Sequence, residues 1–134
     1  DKISKVRKLF KHLHCGSTTP EGLCYEAVMK DMITTTDKMD SYFLNFSDGM
    51  PMYSNDEMYY SGDDARKHTR DMVNKMRKMG IKVLSYFIND RYYGDDDTTA
   101  MNYFRQMYGS DAEEIDILSI PAVARTMNNL FLEK

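Results

Sequence analysis

Thr19 and Asp48 bring a hydroxyl and a carboxylate, oxygen donors of the kind a hard cation such as Mg²⁺ selects while keeping several of its own waters. Each residue also has an ordinary local reading. Thr19 before Pro20 can cap a helix, Thr18 with Glu21 fits a capping box, and Asp48-Gly49 is a common turn pair. A second chemistry would use Asp48 with Asp90 and the run Asp95, Asp96 and Asp97, whose carboxylates could assemble a metal-assisted hydrolytic or phosphoryl-transfer site. The cluster His12, His14 and Cys15, with Cys24 further on, has the residue types of a zinc site. Its spacing fits no common one, because a helix turns His12 and His14 about 200° apart. His68 reads as a helix-surface or packing residue. Gly-rich phosphate loops, GxSxG and HExxH are absent from the sequence.

A different kind of chemistry lies in the stretch from 50 to 62. Met50, Met52, Tyr53, Met58, Tyr59 and Tyr60 concentrate there, directly after Asp48. Flexible thioethers and amphipathic rings suit a surface that binds another protein, and they equally suit a local lid folded back on the domain.

Positioning these groups requires a scaffold, and apolar periodicity supplies one. Ile3, Val6, Leu9, Phe10 and Leu13 fall on one face of a helix over about 2 to 14. With Thr19 as cap and Pro20 as its first residue, a second helix runs over about 20 to 33, with Leu23, Cys24, Ala27, Val28 and Met32 as its apolar stripe. Residues 41 to 47 form a strand that ends in Asp48-Gly49, and 50 to 62 lacks a steady period and reads as a long loop. A helix over 63 to 79 places Ala65, Thr69, Met72, Val73, Met76 and Met79 on one face and ends at Gly80. Residues 81 to 88 read as a parallel strand covered on both faces. A helix closed by Gly109, a short strand over 115 to 118 and a last helix from Pro121 complete the chain.

This order is that of a doubly wound, Rossmann-like α/β fold, a mostly parallel sheet with helices on both faces and ligands beyond the carboxyl ends of its strands. At that edge the segments GSTTPEG, SDG and NDRYYGDDD should converge. Strands 41 to 47 and 81 to 88 are expected to be parallel neighbours. Three strands among five helices make a sparse sheet, so residues 1–134 are expected to be a single partial domain lacking its N-terminal strands, with one edge of the first strand open.

The composition narrows the classes of function. With 42% hydrophobic and 29% charged residues, the chain belongs among folded proteins rather than disordered ones. A net charge of −3 without a basic block argues against nucleic acid as a partner. No apolar run approaches the roughly 18 residues of a membrane span, and the amino-terminal stretch lacks a signal-peptide core. Two cysteines are too few for a disulfide framework, so a cytoplasmic location is expected and a membrane partner is not.

The pattern GSTTPEG, YFLNFSDGMP, Arg66-Lys67-His68-Thr69-Arg70 and GIKVLSYFI, together with the ending MYGSDAEEIDILSIPAVARTMNNLF, resembles a von Willebrand factor A (VWA) domain. It is similar to the CobT subunit of aerobic cobaltochelatase and its phage-encoded relatives, over about residues 5 to 132. The resemblance implies a metal-ion-dependent adhesion site, in which Mg²⁺ is held by a DxSxS loop, a Thr and an Asp, and a partner's carboxylate completes the shell. Thr19 matches the family Thr, with Thr18 as the alternative register, and Asp48 matches the family Asp. No Asp of this sequence has Ser two positions on, so the DxSxS element is absent. Mg²⁺ is accordingly expected only where that loop is supplied. The resemblance further implies a protein-interaction subunit working with an AAA+ ATPase ring of the chelatase or MoxR type. Cobalt insertion in cobalamin biosynthesis is then the client reaction by analogy, and a phage assembly or host-takeover role is the variant suggested by the phage relatives.

Overall fold

The computed structural model describes Lys8 and residues 18–88, 97–110, 112–115, 124 and 125, with 97 and 98 described by their backbone alone. Among these residues the order is helix α1 (Glu21–Val28), a 3-10 turn (Met29–Asp31), strand β1 (Tyr42–Ser47), strands β2 (Tyr53–Ser54) and β3 (Tyr59–Tyr60), and helix α2 (Gly62–Lys78). Strand β4 (Lys82–Ile88), helix α3 (Asp97–Tyr108) and strand β5 (Glu113–Ile115) follow. The protein is a mixed α/β structure on a parallel three-stranded sheet of order β1-β4-β5. The expected neighbours pair as parallel strands, with Phe43 opposite Val83 and Ser47 opposite Phe87. Among the described residues, strand β1 stands at the edge of this sheet.

Alternation along the strands divides the sheet into two faces. Phe43, Asn45, Ser47, Val83, Ser85 and Phe87 share one face by register. All three described helices pack there: Tyr25 of α1 meets the Phe43 ring edge-on at 5.2 Å, and Phe104 of α3 lies 5.4 Å from the Phe87 ring. Met72, Val73 and Met76 of α2 join Val83 and Phe87 in the same buried cluster. The other face carries Phe46 stacked on Tyr86 at 5.3 Å. The helices expected over 2 to 14 and from Pro121, which would cover that face in a doubly wound fold, lie outside the described residues apart from Lys8 and residues 124 and 125.

Helix α2 forms where its period places it, with Ala65, Thr69, Met72, Val73 and Met76 buried on one stripe and Asp63 and Asp64 in its first turn, where carboxylates favour the helix dipole. Gly80 ends it at φ +80°, a conformation costly for a residue with a Cβ.

Other expectations need correction. Helix α1 is shorter than the stretch 20 to 33, stopping at Val28, and Pro20 is its N-cap rather than its first residue, with no side-chain capping hydrogen bond. Its buried residues are Glu21, Gly22 and Tyr25. Cys24, Ala27 and Val28, assigned to the apolar stripe, are exposed. The face turned inward carries the Glu21 carboxyl, Gly22 and the Tyr25 ring, so the expected hydrophobic stripe pointed the wrong way. The supposed loop over 50 to 62 holds an antiparallel hairpin, Tyr53 opposite Tyr60 and Ser54 opposite Tyr59. The last strand begins two residues earlier than expected, pairing Tyr86 with Glu113 and Ile88 with Ile115, and 116 to 118 lie outside the described residues. No helix among the described residues is long and apolar enough to cross a membrane.

Candidate functional site at the carboxyl end of strand β1

Strand β1 ends in a turn that its own side chains close. Ser47 Oγ accepts the Gly49 N–H at 2.9 Å, and Asp48 Oδ1 accepts the Met50 N–H at 3.1 Å. Gly49 adopts φ +75°, and a Cβ there would stand 3.3 Å from Phe87 and 3.4 Å from Phe104, so the turn presses its backbone onto the core. Ser47 is buried by this contact and Asp48 is left exposed to solvent.

Beneath the turn lies Glu21, only 3% exposed at the first position of α1. The Tyr108 hydroxyl donates to its Oε2 at 3.0 Å, the Ser47 side chain hydrogen-bonds to the same carboxyl, and the Tyr25 and Tyr108 hydroxyls are 2.7 Å apart. With Tyr108 donating to Glu21, Tyr25 donates to Tyr108 in turn. Burial drives the Glu21 pKa upward, against the two hydrogen bonds, and the Asp48 charge pushes it the same way. Burial, with the neighbouring carboxyl, likewise raises both tyrosines above their ordinary range. The result is a pair of unlike carboxyls at one sheet edge, an enclosed one that holds its proton more readily than usual and a solvent-facing one.

Next to this pair the hairpin is pinned at two points. The Met52 N–H donates to the Thr19 carbonyl at 3.1 Å. The Tyr60 hydroxyl reaches the Ala65 carbonyl at 3.1 Å and His68 Nδ1 at 3.2 Å, with the two rings edge to face. His68 Nε2 lies 3.6 Å from Glu26. Gly22 makes this junction possible, since a Cβ there would come within 2.8 Å of His68 Nδ1 and 2.9 Å of the Thr69 amide nitrogen. Asn55 caps the hairpin tip, its Oδ1 accepting the N–H groups of Glu57 and Met58 at 3.0 and 2.6 Å.

Each candidate residue can therefore be placed. Thr19 is exposed and its backbone carbonyl ties α1 to the hairpin, so the structure joins Thr19 to Met52. Asp48 is exposed, with one oxygen committed to its own turn. Met50, Met52, Met58 and Tyr59 are exposed, Tyr59 by 79%. Tyr53 and Tyr60 are half-buried, the first accepting a hydrogen bond from Asn55 Nδ2 at 3.2 Å. Asp90, Asp95 and Asp96, together with His12, His14 and Cys15, lie outside the described residues, as does the Asp97 side chain. Thr18 is half-buried and Cys24 is a free, exposed thiol.

As a metal centre, Thr19 and Asp48 fit Mg²⁺ in kind, both offering oxygen, and fall short in number. No cluster of three or more His, Cys, Asp or Glu suited to a metal occurs among the described residues. A cavity of about 310 Å³, lined by Met32, Ile33, Tyr42 and Ile81 among others, opens at the opposite end of β1 from Asp48. The sequence reading missed Glu21, Tyr25 and Tyr108 as a unit. The available signal was the four-residue spacing of Glu21 and Tyr25, which puts both on one helix face. Comparisons with protein-family models, curated proteins and solved structures return no match.

Proposed function

We propose that this chain is a protein-interaction module of the VWA type, similar to the domain of the CobT subunit of cobaltochelatase, that binds its partner at the edge formed by the Asp48 turn and the Met/Tyr hairpin. The observation that carries this reading is the hairpin itself: Met50, Met52, Met58 and Tyr59 stand exposed beside an exposed carboxylate, on a two-stranded element fastened to α1 and α2. Large apolar side chains held outward in a group suit association with another protein. The parallel β1-α2-β4-α3-β5 order, with three helices on one face, supports the finer expectation of a doubly wound domain whose second helical layer covers the Phe46 face.

In this reading Thr19 and Asp48 contribute two oxygen ligands to Mg²⁺, which would polarise and orient a partner's carboxylate. Mg²⁺ joins only where a DxSxS loop is supplied. Burial raises the Glu21 pKa, so this carboxyl holds its proton more readily than usual beside the exposed Asp48. The partner is an AAA+ ATPase ring, which supplies hydrolysis while this module links motor to client. Cobalt insertion is the client reaction by analogy alone, and the phage variant would replace that client with an assembly or host protein.

The test is binding of a purified AAA+ ring of the chelatase or MoxR type to the full chain, with a DxSxS-bearing loop supplied, in Mg²⁺ and in EDTA. Binding in Mg²⁺ that is lost in EDTA and with Asp48→Ala is expected. Binding indifferent to both would exclude the metal-dependent mode, and absence of binding would exclude the AAA+ partner.

A further inference from the structure

The segment that forms the candidate surface has an unusual charge. Residues 41 to 65 contain no Lys, Arg or His, while Asp48, Asp56, Glu57, Asp63 and Asp64 fall within them. All five are exposed. Asp63 pairs with Arg66, but Asp48, Asp56, Glu57 and Asp64 pair with no cation among the described residues. Carboxylates thus surround the same element that holds Met50, Met52, Met58 and Tyr59 in solvent.

The outward placement follows from how the hairpin is built. Successive residues of a strand point to opposite sides, so seating Tyr60 against α2 turns Tyr59 away from it. The Asn55 cap fixes the tip, and the Met52 tie to Thr19 fixes the base. A lid folded back on the domain would bury these side chains instead.

We infer that the hairpin and its flanks are a docking surface for a basic amphipathic helix of another protein, an inference that rests on the interaction-module reading above. Thioethers repack around apolar anchors of varied shape, and the surrounding carboxylates attract the Lys and Arg residues that border such a stripe. Charge separates this occupant from the alternatives. A second copy of the chain would oppose carboxylate to carboxylate across the contact, and a phosphate backbone or an anionic bilayer would be repelled by the same field.

The test uses the full chain with ¹⁵N labelling, in EDTA so that Mg²⁺ plays no part. The probe is a synthetic amphipathic helix of Leu and Lys, compared with the same peptide carrying Glu for Lys and with phosphatidylserine vesicles. Expected is saturable binding of the Lys peptide alone, with amide shifts concentrated on residues 48 to 64 and affinity falling at high salt. The double variant Asp56→Asn, Glu57→Gln should weaken binding by roughly three- to tenfold, and Met52→Ser with Tyr59→Ser by roughly tenfold or more, both with unchanged amide dispersion elsewhere. Equal binding of the Glu peptide or the vesicles, shifts centred outside the hairpin, or unaltered affinity in both variants would overturn the inference. Failure here with Mg²⁺-dependent capture of an AAA+ ring intact removes the basic partner and keeps the module. Lost capture with peptide binding intact removes the AAA+ reading instead.

Discussion

Glu21 concentrates the energetics of the site in one side chain. Its pKa is raised above the ordinary 4.5 chiefly by burial, so the folded protein binds its proton more tightly than the unfolded chain does. The stability this contributes is fully present below the unfolded value and is lost as pH rises through the folded one. Glu21→Gln should therefore flatten the fall in stability with rising pH and raise the melting temperature at neutral pH, read by thermal denaturation across a pH series. Tyr108→Phe removes the donor to Glu21 and leaves a buried acceptor short of a partner. It should cost about 1 to 3 kcal/mol in chemical denaturation. Gly22→Ala forces a methyl group against His68 and the Thr69 backbone and should cost roughly 1 to 3 kcal/mol, with α1 displaced from α2. None of these three roles follows from residue type. Glu21 resembles a capping residue and Tyr108 a helix-end aromatic until the fold brings residues 87 positions apart into one hydrogen bond.

Elements with a strong period or a clear boundary were legible and those without either were not. Helix α2 carries apolar side chains at helical spacing, strands β1 and β4 are short apolar and aromatic runs bounded by turn residues, and the parallel pairing of the strands follows from the helix between them. The hairpin was hidden because its strands are two residues each, too short for alternation to register, and its order comes from the Asn55 tip and from contacts with α1 and α2. The buried face of α1 was misjudged because hydrophobicity does not mark a helix whose inner surface is a carboxyl, a glycine and a hydroxyl-bearing ring. Two expectations separate scaffold from surface. Amide exchange should be slowest in β4, which pairs on both sides, and much faster in the two-residue strands of the hairpin. Met52→Ser with Met58→Ser should change stability by only about 0.5 kcal/mol, since both side chains are exposed.

At the scale of the whole molecule, the sheet gathers three segments distant in sequence at one edge. The start of α1 brings Glu21, the end of β1 brings Asp48, and the hairpin brings the apolar surface that leads back to α2. The opposite end of β1 holds a cavity lined by Met32, Ile33, Tyr42 and Ile81 among others. A net charge of −3 for the chain understates the local field, because the cations are spread over other segments while residues 41 to 65 contribute acids alone. Association through this edge is the central claim, and the most direct measurement is binding of a purified AAA+ ring to the full chain supplied with a DxSxS loop, comparing the native hairpin with Met52→Ser, Tyr59→Ser in Mg²⁺ and in EDTA. The account predicts tight binding by the native protein in Mg²⁺ and a loss of roughly tenfold or more on either change. Equal binding under all of these conditions would contradict it.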